Sequence, residues 1–218
     1  MGDLKFLLDY DVFIFDFDGT LVDSNKIKYD GFVEVAKSID NAHSILKEQL
    51  AANTGATRSE IFVHLSNELT KKNISHAAPA ELIRHYSNYC EGRVAEAIEM
   101  PFAFQMLQKL REHQRQVFLS SATPIQELRR IVEKKDWRHL FDGIYGAPGT
   151  KSSHIISIKK KTVSGVRKIL FCGDSVSDQI AAAAAGCDFI GIGKRDSEFQ
   201  GKSVIWCENF EGWINVFQ

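Results

Sequence analysis

The apolar run Val12-Phe13-Ile14-Phe15, followed at once by Asp16-Phe17-Asp18-Gly19-Thr20, constrains this chain more than any other segment. Four apolar residues in a row ending at an acid read as a strand buried on both faces, the pattern of a parallel sheet. Side chains at i and i+2 of a strand point the same way, so Asp16 and Asp18 can converge at its carboxyl end. Gly19 allows a sharp backbone departure that a Cβ would resist. Open α/β sheets bind ligands at the carboxyl ends of their strands. Two carboxylates there suit a nucleophile, a proton donor and a divalent cation. An Asp-Gly turn with solvated acids is the plainer alternative, so the rest of the chain has to decide.

The segment after Asp18 changes character. From Ser24 to Glu96 the pattern is helical, with amphipathic stretches at 26–38, 44–52, 59–71 and 80–98. Pro101 marks the return from this block, since helices seldom continue through proline. A helix over 102–113 and a strand over 116–120 come next. A helix over 124–135 follows, with Thr123 as N-cap, Pro124 at N1 and Gln126 at N3. Further strands are expected at 143–145, 168–172, 189–192 and 204–206. An alanine-rich helix over 175–185 is closed by Gly186. Strands alternating with helices imply an α/β architecture, a doubly wound parallel sheet covered on both faces. The expected division is a discontinuous core, 1–21 with 97–218, and an inserted all-α cap over 22–96.

Composition excludes several classes. A formal net charge of -1 over 218 residues gives no electrostatic reason to expect nucleic acid or an anionic membrane as partner. No stretch approaches the roughly 18 apolar residues of a membrane span. The opening residues form no secretory signal, because the apolar run there is strand-like and broken by Asp9 and Asp11. Phe6 also stands where myristoylation prefers Ser or Thr. Cys90, Cys172, Cys187 and Cys207 are dispersed with no Cys-x-x-Cys spacing. They read as reduced thiols, and the expected location is cytoplasmic. His43, His64, His76, His85, His113, His139 and His154 show no metal spacing. Lys159-Lys160-Lys161 reads as a solvated helix end.

Three later features join the first motif. Val117-Phe118-Leu119-Ser120-Ser121 is a strand ending in hydroxyls. Ser121, beyond the apolar run, is the candidate for a phosphate oxygen, with shaping of the helix entry as the alternative. Lys151 follows a strand end and loop at a helix start, where a cation can neutralise phosphate, although a lone loop lysine is usually solvated. In Gly173-Asp174-Ser175-Val176-Ser177-Asp178, Asp174 follows a strand and Ser175 can cap the alanine-rich helix. Asp178, in the first turn, can reach back toward Asp174. Placement against a helix dipole would explain Asp178, but not a second acid at the strand end.

Asp16-Phe17-Asp18-Gly19-Thr20-Leu21-Val22-Asp23-Ser24, Ser121, Lys151 and Gly173-Asp174-Ser175-Val176-Ser177-Asp178 resemble the four ordered motifs of the haloacid dehalogenase superfamily. More narrowly they resemble its phosphoglycolate-phosphatase and β-phosphoglucomutase-like branch. The resemblance implies a Rossmann-like core with a helical cap. It also implies an aspartyl-phosphate formed on Asp16, and Asp18 as acid and then base. Magnesium would be held by Asp16, the backbone carbonyl of Asp18, and Asp174, with Asp178 as ligand or support. Ser121 and Lys151 would bind the transferring group. Having Asp18 argues for phosphoryl chemistry, because a dehalogenase has no alkoxide to protonate.

Ser152 follows Lys151 where many relatives carry proline, a departure that bears on substrate subgroup. Asn53-Thr54-Gly55-Ala56-Thr57-Arg58-Ser59 resembles the loop that relatives use on the distal part of the substrate. Arg58 is the candidate there, able to grip a carboxylate or second phosphate, with an exposed first-turn arginine as the alternative. The resulting expectation is a magnesium-dependent phosphatase acting on a small phosphorylated metabolite, a sugar phosphate or phosphoglycolate-like acid. A phosphomutase and a non-catalytic phosphometabolite-binding protein are the rival readings.

Overall fold

The computed structural model describes residues 4–52, 56–162, 168–193 and 204–218. It divides into two compact units, Met1–Asp23 with Ala97–Gln218, and Ser24–Glu96.

The first unit is built on one parallel sheet. Its strands are β1 (Val12–Phe15), β2 (Gln116–Pro124), β3 (Gly143–Ala147), β4 (Ile169–Gly173), β5 (Asp188–Ile192) and β6 (Ile205–Cys207). They run in the order β3-β2-β1-β4-β5-β6. β1 is central, paired with β2 (Phe15 opposite Leu119) and with β4 (Phe15 opposite Cys172). Every residue of β1 is buried, as a strand covered on both faces must be.

The two-residue period sorts the core into layers. Val12 and Ile14 join Phe118, Phe171, Ile155 and Ile158 of α7 (Lys151–Lys161) and Ala182 of α8 (Val176–Ala184). Phe13 and Phe15 point the other way, against Trp213 of α9 (Glu211–Val216), with ring centroids 5.9 and 6.2 Å apart. Phe210 and Phe217 flank that helix and are fully buried. Each such side chain contributes on the order of 2 kcal/mol by burial. At six residues α9 carries too little periodicity to be read locally, and the sequence reading missed it; its aromatic ring contacts hold it in place. α5 (Ala103–Glu112) and α6 (Ile125–Lys134) complete the helices of this unit.

Two local expectations need correction. The N-terminal run expected as strand-like is a 3-10 helix, Leu4–Asp9, with Leu7 buried and Leu8 exposed. β2 runs four residues beyond the expected 116–120, to Pro124, and resumes pairing with β3 at Pro124 opposite Ala147 after a register shift. Thr123 therefore belongs to the strand; Pro124 is the N-cap residue of α6, and no side chain caps it. Lys159, Lys160 and Lys161 are exposed in the last turn of α7, as expected, and Lys159 Nζ also donates to the carbonyls of Ala185 and Gly186 at 3.0 and 2.8 Å, tying α7 to the end of α8.

Among its described residues the second unit forms only helices: α1 (Asn25–Ala36), α2 (Ala42–Ala52), α3 (Arg58–Lys71) and α4 (Pro79–Glu96). Phe32, Phe62 and Tyr86 form its aromatic centre, with Phe32 and Tyr86 centroids 4.4 Å apart. Thr57 opens α3 through a capping box with Glu60. The Thr-x-x-Glu spacing shows it in the sequence. Asn53, Thr54 and Gly55 of the expected substrate loop lie outside the described residues. Among the described residues no helix is long and apolar enough to cross a membrane.

Candidate active site

The carboxyl end of β1 organises the site. The Asp16 backbone N–H donates to the Cys172 carbonyl at 2.8 Å, which sets Asp16 level with the end of β4. Neighbouring strands stand about 4.8 Å apart, so the residues just past β4 face those just past β1. Gly19, at φ +80°, then turns the chain in a conformation that residues with a Cβ rarely adopt. Asp16 is buried, and Asp18 and Asp174 are half-buried.

Asp16, Asp174 and Asp178 each place a carboxylate oxygen within 4.8 Å of the others'. Lys151, the first residue of α7, reaches into this cluster. Its Nζ lies 3.0 Å from Asp16 Oδ1 and 2.5 Å from Asp178 Oδ1. A cation at a helix N-terminus opposes the helix dipole, and here the two acids outweigh that cost. Burial works against the Lys151 ammonium, but Asp16 and Asp178 hold its pKa above the ordinary lysine value. For Asp16, burial pushes the carboxyl well above the usual carboxylate range; Lys151 opposes this, while Asp178, Asp174 and Asp18 add to it. Three clustered carboxylates against one ammonium leave negative charge that a divalent cation would offset. The donors are hard oxygens and few, which fits magnesium.

Asp178 is engaged on both oxygens. Oδ1 accepts from Lys151, and Oδ2 accepts from the Ser175 hydroxyl at 2.6 Å and the Ser175 N–H at 3.2 Å. Ser175 and Asp178 thus form the capping box that starts α8. A Cβ at Gly173 would lie 2.5 Å from the Asp178 Cβ and Cγ, so only glycine leaves Asp178 its place beneath the β4 terminus.

Ser121 is buried at the end of β2, and its Oγ accepts the Thr123 N–H at 3.0 Å. Among the described residues its hydroxyl hydrogen has no acceptor, so it can donate to an incoming anion. The third N–H of Lys151 is likewise unclaimed among the described residues. Asp18 is not in the three-acid cluster by its side chain. Its Oδ2 accepts from the Thr123 hydroxyl at 3.1 Å.

Two residues near the site escaped the sequence reading. Thr123 reads in sequence as a helix cap, yet a residue before proline is held extended, and it is buried on the same side of β2 as Ser121. The other is His154, one turn beyond Lys151 and buried, with its Nδ1 2.9 Å from Ser120 Oγ. Burial lowers its pKa from the ordinary 6.5, a bond to the Gly146 backbone opposes this, and Lys151 lowers it further. Because the unfolded chain binds the proton more readily, this contribution to stability is complete above about pH 6.5 and is lost as pH falls through the folded value. Urea midpoints measured from about pH 8 down to 5 should show this loss in wild type and not in His154→Gln. Equal slopes would contradict it.

Arg58 belongs to the helical unit. Its Nη1 donates to Ser87 Oγ at 2.6 Å, and its guanidinium stands 4.8 Å from the Tyr86 ring centroid. It is buried, unlike an exposed first-turn arginine.

Residues 13–192 match the family model of haloacid dehalogenase-like hydrolases. No curated protein sequence matches the chain significantly. Among solved structures, a predicted phosphoglycolate phosphatase from Haemophilus somnus 129pt aligns with a TM-score of 0.74 at 18% identity, over 96% of this chain and 99% of that one. CbbY from Rhodobacter sphaeroides, as a mutant holding xylulose-(1,5)bisphosphate, aligns at 0.73 and 17% identity, over 92% and 95%. YfnB from Bacillus subtilis, whose magnesium-bound structure reveals interdomain movement, aligns at 0.70 and 16%, over 95% and 98%.

Proposed function

This chain belongs to the haloacid dehalogenase-like hydrolase family, and from that premise we propose that it is a magnesium-dependent phosphatase acting on a small phosphorylated metabolite. The observation that carries this reading is the pair of carboxyls at the end of β1. One is buried against Lys151 at 3.0 Å, and the other is held separately by a hydroxyl. Nucleophile and proton donor need such different surroundings.

Asp16 attacks phosphorus and becomes an aspartyl-phosphate, while Asp18 gives its proton to the departing alcohol oxygen. Asp18 then takes a proton from the water that hydrolyses the aspartyl-phosphate, and both residues return to their starting states. Ser121 donates its hydroxyl hydrogen, and Lys151 its third N–H, to the phosphoryl oxygens. Asp16, Asp174 and the Asp18 carbonyl would hold magnesium, which supplies Lewis-acid stabilisation of charge on the phosphoryl group. Asp178, already engaged by Lys151 and Ser175, serves to aim Lys151. The helical unit is assigned substrate selection, with Arg58 as the candidate for a distal anion. The bisphosphate held by the CbbY mutant and the magnesium of YfnB support the substrate class and the ion.

The test is inorganic phosphate release from a panel of sugar phosphates, 2-phosphoglycolate and 4-nitrophenyl phosphate, with and without magnesium. Magnesium-dependent release supports the phosphatase, and its ranking names the substrate. Absence of release with interconversion of sugar-phosphate isomers would replace it with a phosphomutase.

A further inference from the structure

Asp18 serves two proton transfers in one turnover, so the direction its carboxyl faces matters as much as its presence. Nothing in the Asp-x-Asp-Gly-Thr segment shows what sets that direction. The answer comes from β2, 105 residues away in sequence, where the Thr123 hydroxyl donates to Asp18 Oδ2 at 3.1 Å.

Thr123 is itself held from several sides. It is buried, and its N–H donates to Ser121 Oγ at 3.0 Å. A Cβ at Gly146 would lie 2.5 Å from the Thr123 carbonyl oxygen, so β3 is pressed against its backbone. Pro124 follows with φ -52° and is paired with Ala147, so the chain on its far side is fixed too. A hydroxyl on so constrained a residue has little freedom to point elsewhere.

We propose that Thr123 is a positioning residue for the proton-transfer step, orienting Asp18 so that Oδ1 faces the leaving group; this rests on the phosphatase reading above. With Oδ2 receiving the Thr123 hydrogen, the proton given to the alcohol leaves from Oδ1 as the P–O bond breaks. The proton taken from water returns to the same oxygen, and Thr123 keeps its own hydrogen throughout. The same threonine places the Ser121 hydroxyl by donating its N–H to it. One residue thereby couples phosphate binding to leaving-group protonation.

The experiment compares wild type, Thr123→Val and Thr123→Ser on two substrates, the best alkyl phosphate from the panel and 4-nitrophenyl phosphate, with magnesium present. An alkoxide needs the proton, while nitrophenolate leaves without it. Thr123→Val should therefore lower kcat/KM about 10- to 100-fold for the alkyl phosphate, less than the roughly 10²- to 10⁴-fold of a whole general acid because Asp18 itself remains. The aryl phosphate should change by no more than about threefold. Thr123→Ser should restore the alkyl activity, Tm should be unchanged in both variants, and Thr123→Val should add nothing in an Asp18→Ala background. Equal losses on both substrates, or no rescue by serine, overturn the positioning role alone. No magnesium-dependent release by wild type from either substrate overturns the phosphatase reading and this proposal with it.

Discussion

Asp16→Asn should abolish magnesium-dependent phosphate release, by at least about 10⁴-fold, while leaving the protein as stable as wild type or more so. The loss follows from chemistry, because a carboxamide does not attack phosphorus, and deletion of a covalent nucleophile in other hydrolases costs this much or more. The gain in stability follows from burial. Asp16 has its carboxyl held well above the usual range, first by desolvation and then by Asp178, Asp174 and Asp18, with Lys151 opposing. A group that resists ionisation in the folded chain lowers stability once it is charged. Asparagine removes that charge and keeps an acceptor for Lys151, whose Nζ stands 3.0 Å from Oδ1. Phosphate release, urea unfolding in EDTA, and intact mass after acid quench should agree. Wild type should carry one phosphoryl group on quench and the variant none. Residual release in the variant above one part in about 10² would remove Asp16 from the nucleophile's role.

Lys151→Met should damage both function and stability. Activity should fall about 10²- to 10³-fold, as when a preorganised electrostatic donor is removed from an active site. Stability at neutral pH should fall by about 3–5 kcal/mol, because the Asp16 and Asp178 carboxylates lose their buried counter-ion. The pH dependence gives this a sign. Without Lys151 opposing desolvation, the folded-state Asp16 carboxyl rises further, so the unfolded chain releases a proton that the folded chain retains. Stability is then fullest at low pH and is lost as pH rises through the raised Asp16 value. The deficit relative to wild type should shrink on acidification, in urea titrations with EDTA present. A deficit that stays constant with pH would mean that the lysine stem is being lost as packing rather than its charge.

Much of the fold is local in origin and therefore legible. β1 is an apolar run bounded by an acid, and α8 carries its capping serine and its closing Gly186, at φ +58°, in plain order. Among the described residues, all six strands and eight of the helices follow from periodicity and punctuation, within a few residues at their ends. What failed locally failed for identifiable reasons. α9 is too short to show a period and rests on Phe13 and Phe15 from the other end of the chain. Thr123 looked like a cap because its hydroxyl type and the following proline suit one, whereas a partner 105 residues away holds it as a strand residue. The three adjacent lysines are exposed as read, but the bonds from Lys159 to the end of α8 are tertiary and have no sign in the local sequence.

The same division runs through the candidate site. The chain by itself determines that Asp16 and Asp18 leave one strand end together and that Asp174 and Asp178 bracket a helix start, since both follow from the period of a strand and the geometry of a cap. Tertiary structure alone decides the contacts. It places Lys151 between Asp16 and Asp178, gives both oxygens of Asp178 to protein donors, turns Asp18 toward Thr123, and buries His154 on Ser120. Side-chain periodicity reaches only a few residues along the chain. These partners meet because the parallel strands β1, β2 and β4 end at one edge of the sheet, and that register is set by packing on both faces.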